Sequence, residues 1–383
     1  MKVLNLGSLD VKEGGPTLST YLGMKGVERS GWRTAIAMAP LQPCGRLIAE
    51  DVETIVCREP RLGRLQWIPG FADSIEAAGE VNVVHIQGLW RLIGAQGARW
   101  ARRKGIPYVV SLRGMLYPQA LGQRRWFKRL SLAAYEADTL RGAAAIHATC
   151  QEEAEHYRAL GFTNRVEIIP NAVDTSAVGA PKQDYADVRT IAYLGRFDFR
   201  KRIDLLIEAF AIWAKGRQDC RLRLIGGDST DFEAGLRSRA AAAGISDRME
   251  MPGFLSGAEK YAALREADVL VVPSDFENFG NIVVEAMACG VPVVASKGTP
   301  WRILEEERCG CWTDNAPAAI ADALARLATL SADERRAMGQ RAVALADRLY
   351  SVDAVGRQLA ELYRSVATVS YTHLRAHETG RNL

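Results

Sequence analysis

Short apolar runs of four to six residues recur along this chain, each followed by a longer stretch of helical periodicity. Runs that are apolar at every position belong to strands buried on both faces, an environment found in a parallel sheet layered between helices. The fold class expected is therefore α/β. In the first half the candidate strands are 3–6, 34–38, 81–86, 108–112, 144–148 and 166–169. Residues 171–189 break the rhythm with Asn171-Ala172-Val173-Asp174, Gly179, Pro181 and a polar stretch to Asp187, the composition of a domain boundary. The pattern restarts at 190–194, 221–225, 249–251, 269–272 and 292–295. Two doubly wound domains in tandem, 1–180 and 181–349, are expected, followed by a helix within 350–368.

A length of 383 residues agrees with two cores rather than one. Seven dispersed cysteines, Cys44, Cys57, Cys150, Cys220, Cys289, Cys309 and Cys311, form no Cys-x-x-Cys pair and read as buried thiols in a reducing compartment. No run reaches the roughly 18 apolar residues of a membrane span, and the first residues lead straight into a strand, so a cytoplasmic protein is expected. Residues 369–383 depart from the pattern and resemble translated adapter sequence. They are set apart as a non-native tail, and the i, i+4 pair His373 and His377 within them is not read as a metal site.

The segment Pro273-Ser274-Asp275-Phe276-Glu277-Asn278-Phe279-Gly280-Asn281-Ile282-Val283-Val284-Glu285-Ala286-Met287-Ala288-Cys289-Gly290 carries the most chemistry. It reads as the end of a buried strand, a polar loop, and a helix opening at about Asn281. Amides at such a helix start attract anions, and Gly280 lets a phosphate come close to the backbone. Glu277 precedes the helix and Glu285 lies about one turn inside it. This block resembles the signature of glycosyltransferase family 4, the group 1 glycosyl transferases. The resemblance implies a GT-B fold, two Rossmann-like domains facing each other across a cleft, and transfer from a nucleotide-sugar with retention. It also implies that Glu277 contacts the donor sugar, that Phe279, Gly280, Asn281 and Ile282 offer amides to the distal phosphate, and that Glu285 binds the ribose hydroxyls.

A second segment, Tyr193-Leu194-Gly195-Arg196-Phe197-Asp198-Phe199-Arg200-Lys201-Arg202-Ile203-Asp204, is a strand, a glycine turn and a helix start bearing separated cations. Departure of a nucleoside diphosphate builds negative charge on phosphate, and a fixed donor there is commonly worth about 3 kcal/mol. The family pattern Gly-Arg-x(4)-Lys-x-x-Asp matches Gly195, Arg196, Lys201 and Asp204, and implies that Arg196 and Lys201 hold the diphosphate. Arg202 stands where the family usually has glycine. Leu224-Ile225-Gly226-Gly227-Asp228 and Met251-Pro252-Gly253-Phe254 resemble loops of the nucleoside pocket, which implicates Gly227, Gly253 and Phe254; each segment also reads as an ordinary strand-ending turn. Trp301, after the next strand, either packs on the donor or staples its loop.

In the first domain, Glu13-Gly14-Gly15-Pro16 resembles the family's Gly-Gly loop, implying that the backbone at Gly15 approaches the donor phosphate. Arg113-Gly114-Met115-Leu116 resembles a branch associated with bacterial exopolysaccharide and O-antigen assembly, and Arg113 stands where many members carry histidine. Arg113 reads as a contact to donor sugar, as a contact to an acidic acceptor, or as a cation bridging loops. His85 reads equally as an acceptor contact and as a satisfied strand-end histidine, and His147 and His156 as structural. The chain has no His-Glu-x-x-His, nucleophile elbow or Asp-x-Asp, so metalloprotease, serine hydrolase and metal-chelating diphosphate chemistry find no motif; neither cofactor nor divalent metal is expected.

The net charge of +4 hides an asymmetry. Residues 1–180 carry 22 basic against 17 acidic side chains, residues 181–368 carry 25 against 27, and 90–141 alone holds 11 basic against 2 acidic. Gln123-Arg124-Arg125-Trp126-Phe127-Lys128-Arg129-Leu130 interleaves cations with aromatics in a helix expected over 122–141. It suits anionic lipid headgroups at the inner face of a membrane, or else is a solvated helix whose Trp126 and Leu130 face the core. Nucleic acid is not expected, since no binding module accompanies the charge. The expected function is transfer of a sugar from a nucleotide-diphosphate donor to a hydroxyl of a glycan or polyprenyl-linked acceptor in cell-surface polysaccharide synthesis. A noncatalytic nucleotide-binding subunit and a GT-B epimerase or phosphorylase are the alternatives.

Overall fold

The computed structural model describes residues 1–41, 45–227 and 230–379. Cys44, Asp228 and the last four residues of the tail lie outside them. The chain divides into two units, one comprising Met1–Ala172 with the helix that starts at Val352, the other Val173–Ser351.

The first unit is a parallel sheet of seven strands: β1 (Lys2–Leu6), β2 (Arg33–Met38), β3 (Glu53–Val56), β4 (Val83–Gln87), β5 (Tyr108–Ser111), β6 (Ala145–Ala148) and β7 (Val166–Ile168), in the order β3-β2-β1-β4-β5-β6-β7. Side chains alternate between its faces, as the pleat requires. Leu4, Leu6, Val84, Ile86 and Val110 enter one core, while Val3, Val83, Val109 and Ala145 enter another beneath the terminal helix. That helix, Val352–Thr379, crosses the Gly15–Arg29 helix at backbone contact. A Cβ on Gly26 would lie 2.2 Å from the Val352 carbonyl oxygen, and one on Gly356 2.2 Å from the Gly26 carbonyl carbon, so the crossing requires glycine on both helices.

The second unit is a parallel sheet of six strands: β8 (Thr190–Leu194), β9 (Arg221–Ile225), β10 (Met249–Gly253), β11 (Val269–Val272), β12 (Val293–Ser296) and β13 (Gly310–Thr313), in the order β10-β9-β8-β11-β12-β13. In both sheets the strand order reverses beside the first strand, between β1 and β4 and between β8 and β11. Doubly wound sheets bind ligands at the carboxyl ends of the strands at such a switch point.

The differences from the sequence reading have local causes. β3 and β13 escape the apolar-run criterion because one is an exposed edge strand and the other is short and begins with glycine. The division falls at 172/173 rather than 180/181. The Val173 amide donates to the Tyr350 carbonyl at 2.9 Å, and Val173 and Val178 pack in a core of the second unit. The terminal helix continues past Val366 to Thr379, since nothing in 367–379 breaks helical geometry. The basic segment is broken into Pro118–Gly122, Arg125–Ser131, a π turn at Leu132–Glu136, and Ala137–Arg141, with Arg124 left-handed (φ 52) at the first break. Trp126 and Leu130 are 81% and 71% exposed, which overturns the reading in which they face the core. The six described cysteines are buried free thiols, and burial pushes Cys57 and Cys309 up to about 11.

Candidate functional site

At the carboxyl end of β8, Gly195 and Arg196 turn the chain into a short 3-10 segment, Phe199–Lys201. Asp198 caps it, accepting the Arg200 amide at 2.9 Å. The cap is further held by an ion pair between Asp198 and Arg200, which keeps Asp198 down at about 2. Arg202 then takes a left-handed conformation (φ 48) and the helix Ile203–Trp213 begins. This turn projects Lys201 toward the loop after β11, where its ammonium pairs with the Glu277 carboxylate. The Ser274 hydroxyl donates to the same Glu277 oxygen at 2.9 Å, and the Glu277 amide donates to Gly298 O at 3.1 Å. Two further bridges keep turn and loop in register: the Asp275 amide to Arg200 O at 2.8 Å, and Arg202 to the Asp275 carboxylate at 3.2 Å. Arg196 is exposed and forms no ion pair among the described residues.

Gly280, at φ 82, caps the helix Asn281–Ala288. Phe279 is buried between Trp301 and Tyr350, with ring centroids at 5.2 and 5.9 Å, so its backbone rather than its ring is available to a ligand. Trp301 is 1% exposed and donates its indole N–H to the Phe279 carbonyl, which settles its role as a staple of the loop. Glu285 is buried on the inner side of the helix, one oxygen 2.8 Å from Lys260 Nζ, and Lys260 lies 4.5 Å from the Tyr261 ring centroid. Sequence reasoning missed Lys260 because it stands on another helix, Gly257–Glu266, and only the packing of two helices brings it to Glu285.

The glycines at the ends of β9 and β10 complete this edge. The Gly195 amide donates to Ile225 O at 3.0 Å and the Gly226 amide to Gly253 O at 2.9 Å. A Cβ on Gly226 would sit 1.9 Å from the Gly195 carbonyl oxygen, so the two turns meet only with glycine there. Gly227 accepts the Phe197 amide, and Phe254, beyond Gly253, is 81% exposed. Arg196, Lys201, Gly227, Gly253, Phe254, Glu277, Gly280 and Glu285 thus belong to the loops and helix starts at one edge of one sheet.

In the first unit, Gly14 (φ 75) turns the chain into the helix at Gly15, and Glu13 pairs with Arg91 at 3.1 Å. Arg113 follows β5 in a left-handed conformation (φ 54). Its guanidinium donates to Gln87 at 2.7 Å, Asn171 at 2.8 Å and Thr20 at 3.2 Å. A cavity of about 380 Å³ opens beside it, lined also by Ser8, Asp10, Thr17 and Arg91. His85 is not at this surface. It is 1% exposed, with Nδ1 2.6 Å from the Tyr363 hydroxyl and Nε2 2.7 Å from Ser111 Oγ, which in turn lies 2.7 Å from His147 Nδ1. With both nitrogens engaged inside the domain it has none to offer an acceptor, so the acceptor-contact reading of His85 gives way to the structural one. Burial and the neighbouring His147 hold His85 well below the ordinary imidazole range; His147 itself falls to about 4. No group of three or more His, Cys, Asp or Glu among the described residues is arranged to hold a metal ion.

Residues 180–344 match the family described as glycosyl transferases group 1, and residues 14–172 match the glycosyl transferase 4-like domain. The chain belongs to this family of glycosyl transferases. It is 36% identical over 208 residues to the phosphatidyl-myo-inositol mannosyltransferase of Mycobacterium leprae, covering 52% of this chain and 54% of the relative. It is 30% identical over 230 residues to the 2-deoxystreptamine glucosyltransferase of Streptomyces kanamyceticus, covering 55% and 58%. The chain thus spans little more than half the length of these curated relatives. Among solved structures, sucrose-phosphate synthase of Thermosynechococcus elongatus superposes with a TM-score of 0.77 at 21% identity, over 96% of this chain and 100% of that one. Anabaena HepE in complex with UDP gives 0.75 at 21% identity, over 95% and 100%. The fold is α/β of the GT-B type, and the family's glutamate block and its Gly-Arg…Lys turn are the segments that meet at the β8/β11 switch point.

Proposed function

We propose that this glycosyl transferase moves a hexose from a nucleoside-diphosphate donor to a hydroxyl of a glycan or lipid-linked acceptor, with retention at the anomeric carbon. The observation that carries this reading is the Lys201–Glu277 pair beside the helix start at Gly280. The two charges neutralise one another. A diphosphate arriving at Arg196, Lys201 and the amides of the Asn281–Ala288 helix competes for the ammonium and leaves Glu277, still anchored by Ser274, to accept hydroxyls of the donor sugar. Glu285 takes the ribose, and Gly227, Gly253 and Phe254 border the base.

In the transfer step the bond from C1 to the diphosphate oxygen breaks while a bond from C1 to the acceptor oxygen forms on the same face. The acceptor proton passes to the departing phosphate oxygen. Arg196 and Lys201 stabilise the charge that develops there without a divalent ion. Relatives named for phosphatidylinositol mannosylation and for aminocyclitol glucosylation support a polyol or lipid-linked acceptor on the first unit, in the synthesis of cell-surface polysaccharide or glycolipid.

A cytoplasmic enzyme working at the inner face of a membrane agrees with the surface of the Arg125–Ser131 helix. Its exposed Trp126 and Leu130 stand among Arg124, Arg125, Lys128 and Arg129. No helix among the described residues is long and apolar enough to cross a membrane.

Melting curves with UDP, GDP and ADP identify the donor base, since stabilisation grows with ligand concentration over Kd. The matching nucleotide-hexoses, assayed against glycan and polyol acceptors, then report turnover, and the proton NMR coupling of the product's anomeric hydrogen reports its configuration. A product inverted relative to the donor overturns retention. Nucleotide release that is indifferent to acceptor overturns transfer.

A further inference from the structure

Of the two left-handed arginines in the first unit, Arg113 and Arg124, Arg113 is the one that lines a cavity. Arginine gains nothing from a left-handed backbone, and residues held there are retained where the surroundings put the strain to use. The conformation directs the guanidinium inward, between the carboxyl ends of β1, β4 and β5 at the switch point, against the 380 Å³ cavity. All three of its side-chain hydrogen-bond partners are neutral: Gln87, Asn171 and Thr20. The nearby buried carboxylate, Glu153, is turned to other donors. It accepts the Gly114 amide with one oxygen and both the amide (2.6 Å) and hydroxyl (2.9 Å) of Thr149 with the other. No ion pair forms between Arg113 and any carboxylate among the described residues. Burial pulls Arg113 below its ordinary range, against the opposing attraction of the Glu153 carboxylate. A half-buried charge whose hydrogen bonds all go to neutral groups gains from an anion that reaches it across the cavity.

The rest of the cavity suits a hydroxylated ring. Ser8 and Thr17 line it with neutral polar groups and Asp10 with a buried carboxylate, which accepts the Lys12 amide at 3.0 Å. Arg91 and Glu13 at the rim satisfy one another. We infer that this cavity binds a hydroxylated ring carrying an anionic group, a phosphate or a carboxylate seated on Arg113, with the ring hydroxyls toward Ser8 and Asp10. Within the function proposed above, and resting on its assignment of the acceptor to the first unit, this makes the acceptor an acidic sugar or a sugar or cyclitol phosphate.

The test uses the full chain in the presence of saturating UDP, GDP and ADP, so that the donor site is filled and added anion reports elsewhere. Inorganic phosphate, titrated against chloride at matched ionic strength, is expected to raise the melting temperature of the parent protein. In Arg113→Gln its apparent Kd should rise about tenfold or more, as expected when one partner of a buried charge contact is removed. Ser8→Asp keeps Arg113 and its neighbours but adds a repelling charge to the wall, and should abolish the shift even if Arg113→Gln folds poorly. Absence of any phosphate effect in the parent, or an equal effect in parent and Ser8→Asp, overturns the inference. Glucose 6-phosphate, glucuronate and glucose then separate the sources. Preference for the first assigns a phosphate, preference for the second a carboxylate, and equal binding of all three overturns the need for an anion. Nucleotide binding by Glu285→Gln, measured separately, reports on the donor assignment without touching this cavity.

Discussion

The two units share a plan and differ in how they hold charge. Each is a parallel doubly wound sheet whose candidate site lies at the carboxyl ends of the strands where the order reverses. In the second unit the charges at that edge, the exposed Arg196 apart, are paired with opposite charges: Lys201 with Glu277, Arg202 with Asp275, Lys260 with Glu285. In the first unit the half-buried cation Arg113 rests on neutral amides and a hydroxyl, and behind it the chain Tyr363–His85–Ser111–His147 is hydrogen bonded without any formal charge. Pairing keeps a site soluble and ready to exchange partners with a charged ligand. A half-buried cation whose hydrogen bonds go only to neutral groups favours an anion as its next partner. The lesson is that similar sheets can present one edge as an exchangeable set of ion pairs and the other as a polar cavity with a cation on its wall.

The largest effect that would break this comparison is at Glu277. Glu277→Ala removes the carboxylate and releases Lys201, and transfer should fall by roughly a thousandfold or more, on the scale of losing a preorganised electrostatic contact. Nucleoside diphosphate binding should hold or tighten, because Lys201 no longer has an internal partner. Turnover equal to the parent's would remove Glu277 from the chemistry.

Next comes Lys260→Met. Leaving Glu285 buried without its cation should weaken nucleotide binding about tenfold and blunt discrimination against 2′-deoxyribonucleotides, by the cost of an unpaired buried carboxylate. Calorimetric titration with the ribo and deoxyribo forms measures both, and unchanged discrimination would assign the pair to packing alone.

A third change probes the first unit by itself. Alanine favours a helix over glycine by up to about 1 kcal/mol, but Gly356→Ala drives a Cβ into the Gly26 backbone, and overpacking of this kind costs about 1–3 kcal/mol. The clash should win. The melting transition should drop by several degrees while nucleotide affinity, which the proposed function assigns to the other unit, stays as it was.

The smallest effect is a pH dependence from the histidine chain. His85 and His147 are depressed in the folded protein, His147 to about 4, and titrate near 6.5 when unfolded. As the pH falls below 6.5 the unfolded chain takes up protons first, so their contribution to stability is complete above 6.5 and is lost toward pH 4. The melting temperature should decline by a few degrees from pH 7 to 5, and His147→Gln should flatten that decline.

How much of this was legible beforehand varies by element. Apolar runs located eleven of the thirteen strands among the described residues: the inner strands are buried on both faces and leave a continuous signature, and the half-exposed edge strands β7 and β10 still carry Val166, Ile168, Met249 and Met251, whereas edge strand β3 opens on Glu53 and Thr54 and leaves none. The Glu277 to Glu285 block and the Gly195 to Asp204 turn could be read because each lies on one short segment whose local backbone fixes it. Lys260 and the Arg202–Asp275 bridge could not, because each depends on a partner from a different element. The sequence around Trp301 fits a ligand contact and a staple equally, and only the indole's bond to the Phe279 carbonyl distinguishes them; Trp126 and Leu130 fit core and surface equally, and only the placement of their helix turns them outward.

The sequence by itself determined the class of fold, the two domains, and the two segments proposed to carry the donor chemistry, since periodicity and turn residues act over a few positions and need no distant partner. Only the tertiary structure decided which charges are paired, that His85 is enclosed, and that Arg113 faces a cavity with neutral neighbours. Those are properties of side chains brought together from positions as far apart as Thr20, Gln87, Arg113 and Asn171, and the desolvation that gives them meaning exists only once the chain has closed around them.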